Sequence, residues 1–224
     1  MSGVRAVLLD ALGTLVALEP PAPRLRAALF EHGGIDVGAE AAERGFGAEI
    51  AYYTEHHMQG GDDAGLERLR DDCARVLRES LAVAGLDHAT VRRAMLDALE
   101  FTPFPDAEPT LLALRDRGLR LVAVSNWDCS LGWWLDRAGL GRLLDGAVSS
   151  AQVGEAKPAP AVFAAALEIA GVEPADALHA GDSIANDVQG ARAAGIRAVL
   201  VARHGVAPAG VESVGSLEGL LSLT

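Results

Sequence analysis

Apolar residues in this chain come in two rhythms. Short runs dominated by Val, Leu and Ala stand at VRAVLL (4–9), LRLVAV (119–124), GAVSS (146–150), ALHAG (177–181) and IRAVLVA (196–202). Their apolar positions are consecutive rather than alternating, the pattern of a strand covered on both faces. Between these runs the spacing turns helical. PDAEPTLLALRDRGLR predicts a helix from Glu108 that stops at Gly118, and the prolines of KPAPAVFAAALEIAG open a helix that Gly171 closes. SIANDVQGARAAG predicts an Ala-rich helix ending at Gly195. Strands alternating with helices predict a parallel sheet with helices on both sides.

From about Val16 to Glu100 the strand rhythm disappears. PAPRLRAALFEHG, GAEAAERGFGAEIAYYTEHH, DDAGLERLRDDCARVLRESLAVAGL and DHATVRRAMLDALE are all helical patterns. They predict a helical subdomain inserted between the first strand and the second, with the Pro-rich pieces EPPAP (19–23) and TPFPDAEP (102–109) at its junctions. The expected fold is α/β. A Rossmann-like parallel-sheet core from residues 1–15 and 105–224 carries an α-helical cap over residues 16–104.

Composition changes the picture in a few places. A chain of 224 residues can bury a core of this kind, and with 4% aromatic residues that core must be mostly Ala, Val and Leu. The balance of 31 acidic against 19 basic residues, a formal charge of −12, argues against nucleic-acid or acidic-membrane partners, which need clustered Lys and Arg. No stretch reaches the roughly 18 uninterrupted apolar residues of a membrane span. The N-terminus lacks a signal-peptide pattern, because Asp10 interrupts its apolar stretch and no small-residue cleavage site comes after it. Cys73 and Cys129 show neither a disulfide framework nor metal-ligand spacing. A cytoplasmic protein is the expectation. One oddity remains: 18 of the 19 basic residues are arginine, and the single lysine is Lys157.

In an open parallel sheet the C-terminal strand ends share one edge, where ligands bind. Just past the successive strand ends stand Asp10, then Ser125-Asn126, then the loop carrying Lys157, then Gly181-Asp182 with Asp187 five residues on. Three carboxylates at one edge repel one another unless a cation holds them, and Mg²⁺ with oxygen ligands is the natural candidate. Lys157, a compact point charge, and Ser125 complete a pocket suited to a tetrahedral oxyanion such as phosphate.

The motifs LLDALGTL, LVAVSNWD, GEAKPAPAVFAAAL and ALHAGDSIANDVQGARAAG, in this order, resemble the haloacid dehalogenase superfamily of hydrolases, in the group with a helical cap after the first strand. The resemblance covers the whole chain apart from the cap's detail. It implies Asp10 as a nucleophile forming a covalent aspartyl intermediate, Ser125 and the Asn126 backbone as holders of the transferring group's oxygens, and Lys157 as the neutralising charge. It also implies a Mg²⁺ site made by Asp10, the Leu12 backbone carbonyl and Asp182, with Asp187 in support. A capped site of this kind takes a small-molecule substrate.

Leu12 is the departure. Phosphatases that this chain resembles carry a second aspartate there, which protonates the leaving group and then activates water; leucine does neither. The 2-haloacid dehalogenases also lack that aspartate and need no metal, but their fourth motif lacks the Gly-Asp found here. Phosphonatases use a cap lysine, which this chain does not have. Three readings stay open: a Mg²⁺-dependent phosphatase, a non-catalytic phosphate-binding or regulatory protein, and a 2-haloacid dehalogenase. Asp128 and the His56-His57 pair are candidates to replace the missing acid/base. Trp127, Trp133 and Trp134, clustered after the second core strand, read either as packing or as an apolar rim or homodimer contact.

Overall fold

The computed structural model describes residues 3–83, 85–203, 205 and 207–224. Its contacts divide the chain into two compact units, residues 1–17 with 102–224 and residues 18–101.

The first unit is built on a six-stranded sheet. The chain runs through β1 (Ala6–Leu9) into β2 (Val16–Leu18), and from there into the second unit through α1 (Pro21–Gly33), α2 (Ala39–His56), α3 (Asp63–Leu81) and α4 (His88–Ala98). It returns by β3 (Phe101–Pro103), which pairs with β2. Next come α5 (Ala107–Asp116), β4 (Arg120–Ser125), α6 (Leu131–Arg137), β5 (Gly146–Ser149), the short α7 (Ser150–Val153), α8 (Pro160–Ala170) and β6 (Ala177–Gly181). A π-type turn over Ile184–Gln189 continues into α9 (Gly190–Ala193), and β7 (Arg197–Val201) and β8 (Ser213–Val214) complete the sheet.

The order across the sheet is β5-β4-β1-β6-β7-β8, and the neighbouring strands run parallel. This is the Rossmann-like α/β architecture that the consecutive apolar runs predict. β1 lies between β4 and β6, and Ala6, Val7, Leu8 and Leu9 are all fully buried, as a central strand with helices on both faces requires. Register carries the first strand's end into position: Leu9 lies level with Ala123 of β4 and Ala180 of β6. The Asp10 amide then donates to the Ala180 carbonyl at 2.9 Å, so the residue after β1 is still tied to the sheet.

The helical unit has its own apolar core. On α3, Leu66, Leu69, Cys73, Leu77 and Leu81 recur at helical spacing and are all buried. Asp62 caps α3 by accepting from the Gly65 amide at 2.7 Å, and Asp87 caps α4 by accepting from Thr90 at 2.9 Å. The sequence pattern does not show β8, and the structure departs from it in two further ways. The three-residue pair β2 and β3 flanks the helical unit where only helix and loop are predicted, and the Ala-rich helix opens with a π-type turn.

Candidate active site

Asp10 is buried, and its Oδ1 accepts from Ser125 Oγ at 3.0 Å and from Lys157 Nζ at 2.6 Å. Among the described residues no donor falls on its Oδ2. Lys157 is buried as well and uses all three ammonium protons: on Asp10 Oδ1, on Asp187 Oδ1 at 2.6 Å and on the Val124 carbonyl at 2.9 Å. Burial alone would lower its pKa, but the Asp10 and Asp187 charges outweigh that and hold it above the usual lysine value. Asp10 titrates above the ordinary aspartate range because of burial, with Lys157 pulling it down and Asp187 pushing it up.

The Asn126 side chain is engaged within the protein, which leaves its backbone for the expected role. Its side chain forms a reciprocal pair with the Lys157 backbone, Nδ2 donating to the carbonyl at 3.0 Å and Oδ1 accepting from the amide at 2.7 Å. The side chain therefore sets the loop that delivers the lysine.

Asp182 comes directly after β6 and opens to solvent. Desolvation by the protein around its carboxyl, then the Asp10 and Asp187 charges, push its pKa up to about 6. The turn after Asp10 comes very close: a Cβ on Gly13, whose φ is +84°, would lie 2.1 Å from Asp182 Oδ2, so only glycine fits there. Asp187, expected among the cation ligands, has both oxygens engaged by protein donors. Oδ1 accepts from Lys157 and from His179 Nε2 at 3.0 Å, and Oδ2 accepts from the Ser183 amide at 2.9 Å. Burial would raise its pKa, but the His179 and Lys157 donors hold it well below the usual range.

Asp10, Asp182 and Asp187 each present an oxygen within 4.8 Å of the other two. Against these carboxylates stands one lysine, and the Leu12 carbonyl accepts no hydrogen bond among the described residues. An all-oxygen donor set with surplus negative charge fits a hard divalent cation such as Mg²⁺. Leu12 itself is 45% exposed, and its side chain brings no titratable group.

The other candidates are accounted for locally. Asp128 Oδ1 accepts from the Ser130 amide at 2.8 Å and hydroxyl at 2.5 Å, which makes it a turn residue ahead of α6. His56 stacks on Tyr52 with Nδ1 2.9 Å from the Tyr52 carbonyl, and His57 Nδ1 lies 3.0 Å from the Thr54 carbonyl. Trp127 is buried and its amide donates to Ser150 Oγ at 3.2 Å, whereas Trp133 is exposed, edge-on to Trp134 and under the Arg137 guanidinium. Cys73 is buried and Cys129 half-buried, and the two form no disulfide. No helix among the described residues is long and apolar enough to cross a membrane.

Sequence reasoning missed His179. Its signal was a histidine inside the otherwise apolar strand ALHAG, a position where every neighbour is core.

A family model of haloacid dehalogenase-like hydrolases matches residues 4–195. The chain belongs to this family. Among its relatives, the human haloacid dehalogenase-like hydrolase domain-containing protein 3 is 32% identical over 208 residues, 88% of this chain and 82% of that protein. A phosphoserine phosphatase of Thermus thermophilus is 37% identical over 134 residues, 58% of this chain and 54% of that enzyme. The solved structure of the L-2-haloacid dehalogenase RSc1362 superposes with a TM-score of 0.67 at 26% identity, covering 98% of each chain. This member of the hydrolase family thus has relatives named for both chemistries, and its own residues must choose between them.

Proposed function

We propose that this hydrolase is a Mg²⁺-dependent phosphatase that acts on a small phosphorylated compound through an aspartyl phosphate on Asp10. The observation that carries the reading is the pairing of a braced nucleophile with an adjacent acidic cluster. Asp10 Oδ1 is fixed by Ser125 and Lys157 while Oδ2 faces no protein donor among the described residues, and Asp182 packs against the Gly13 turn beside it.

In this account Asp10 Oδ2 forms a bond to phosphorus as the bond to the leaving oxygen breaks, and the leaving group departs with the electron pair. The Ser125 hydroxyl, turned from Asp10 Oδ1 to the incoming group, and the Asn126 backbone hold the phosphoryl oxygens, and the Lys157 charge balances them. Asp10, Asp182 and the Leu12 carbonyl are the cation ligands, with Asp187 serving mainly to hold Lys157. Mg²⁺, when bound there, supplies positive charge to the phosphoryl oxygens.

Leu12 shapes the rest. No proton is delivered to the leaving group, so aryl and acyl phosphates, whose leaving groups are stable anions, are the favoured class. No base activates the water that must cleave the aspartyl phosphate, so the second step is slow. A positioned acid/base is worth about 10²–10⁴ in rate.

Dehalogenation needs Asp10 but has no use for Asp182, since halide leaves unaided. The test sets para-nitrophenyl phosphate with Mg²⁺ beside chloroacetate without metal, for wild type and Asp182→Asn. The phosphatase reading expects nitrophenol release that falls by about 100-fold or more in the variant. Metal-independent halide release, unchanged in Asp182→Asn, would replace it with the dehalogenase reading. Loss of both activities would leave the phosphate-binding, non-catalytic reading that Leu12 favours.

A further inference from the structure

We infer that His179 is a positioning residue for the Asp10–Lys157 pair, acting through Asp187. The inference rests on the reading of Asp10 and Lys157 as the working pair.

His179 is fully buried in β6, where an aliphatic residue would fit the strand without a polar group to satisfy. Its Nδ1 has no hydrogen-bond partner among the described residues, so the imidazole carries a burial penalty. What it contributes in return is one bond, Nε2–H to Asp187 Oδ1 at 3.0 Å. Facing a carboxylate oxygen, Nε2 must carry a proton for this bond to form. The edge of Phe163 packs on the ring with centroids 5.2 Å apart and fixes its plane.

That bond has a geometric consequence. Asp187 receives the Ser183 amide on one oxygen and His179 on the other, which stops the carboxylate rotating about its Cβ–Cγ bond. Gly181 leaves room for this placement, since a Cβ there would lie 2.2 Å from Asp187 Cγ. The remaining lone pair of Oδ1 is then aimed at Lys157 Nζ, 2.6 Å away, and Nζ in turn is 2.6 Å from Asp10 Oδ1. Without the His179 donor, Asp187 Oδ1 keeps only the lysine itself, so no group independent of Lys157 fixes where that oxygen stands or where it draws the ammonium.

Two variants separate positioning from packing. His179→Gln keeps a side-chain N–H near the Nε2 position, and His179→Met has similar length with no donor. Lys157 is the only lysine, so lysine labelled with ¹⁵N at Nζ gives one side-chain ammonium signal. The wild type is expected to show it in slow exchange, the Gln variant to retain it, and the Met variant to broaden or shift it. With para-nitrophenyl phosphate, kcat of the Met variant falls about tenfold to a hundredfold while KM stays within about twofold, and the Gln variant recovers most of the loss. A folded Met variant with the wild-type ammonium signal and kcat would overturn the inference. Should the Met variant not fold, the wild-type ¹⁵N imidazole spectrum decides. A proton on Nε2 supports the assignment, and a proton on Nδ1 alone refutes it. Absence of turnover in the wild type would sink the phosphatase reading while leaving both NMR readouts to judge His179.

Discussion

Each unit of this protein buries a carboxyl group, and the two meet opposite fates. Glu49 of α2 is buried with the Cys73 thiol as its hydrogen-bonding neighbour, and burial pushes its pKa up to about 7. Asp187 of the sheet unit is buried more completely, yet it stays ionised because Lys157, His179 and the Ser183 amide converge on it. Burial is common to both; the partners differ. A carboxyl without a cation becomes neutral when it leaves water, whereas one met by an ammonium and N–H donors keeps its charge and organises its surroundings. The helical unit therefore holds a titratable group of consequence for stability, and the sheet unit holds a fixed charge of consequence for chemistry.

The sharpest way to break this contrast is to remove the cation. Lys157→Met leaves Asp10 and Asp187 buried together without their shared charge, and urea melts at neutral pH are expected to show a loss of about 3–5 kcal/mol. A loss below about 1 kcal/mol would mean that the lysine does not carry the charge balance. Glu49→Gln probes the other side. The unfolded carboxyl titrates near 4.5 and the folded one near 7, so Glu49's stabilising contribution is intact below pH 4.5. It declines as pH rises from 4.5 to 7 and is gone above that, a change of about 3 kcal/mol. Melting temperature measured across that range should lose this component in the Gln variant; an unaltered slope would place the titration elsewhere. The smallest effect belongs to a surface pair. Arg197 and Glu212 form a two-pronged contact with side chains 44% and 37% exposed. Glu212→Gln is expected to cost less than about 1 kcal/mol, and less still in high salt.

Much of the architecture was legible because burial writes itself into sequence. The five apolar runs became core strands, and the helical segments between residues 21 and 98 became α1 to α4. Asp10, Ser125 and Lys157 could be gathered in advance because each stands at or beyond the end of a strand that the sheet must align. What stayed hidden was of two kinds. The strands β2, β3 and β8 have only two or three residues, too few for periodicity to register. The finer roles were hidden because a residue type does not announce its partner. Asn126 turns its amide to the Lys157 backbone, Asp187 spends its oxygens on protein donors, and His179 sits where the pattern says only core.

Leu12 gives the account its most direct test. Wild type, Asp10→Asn and Leu12→Asp are mixed with Mg²⁺ and acetyl phosphate, and intact-protein mass is tracked in time. The expected result is a gain of one phosphoryl group on the wild type and none on Asp10→Asn. The wild-type adduct should decay about 10²–10⁴ more slowly than that of Leu12→Asp, where an acid/base is restored. Phosphate release by the wild type with no adduct on Asp10, or equal decay in the wild type and in Leu12→Asp, would contradict it.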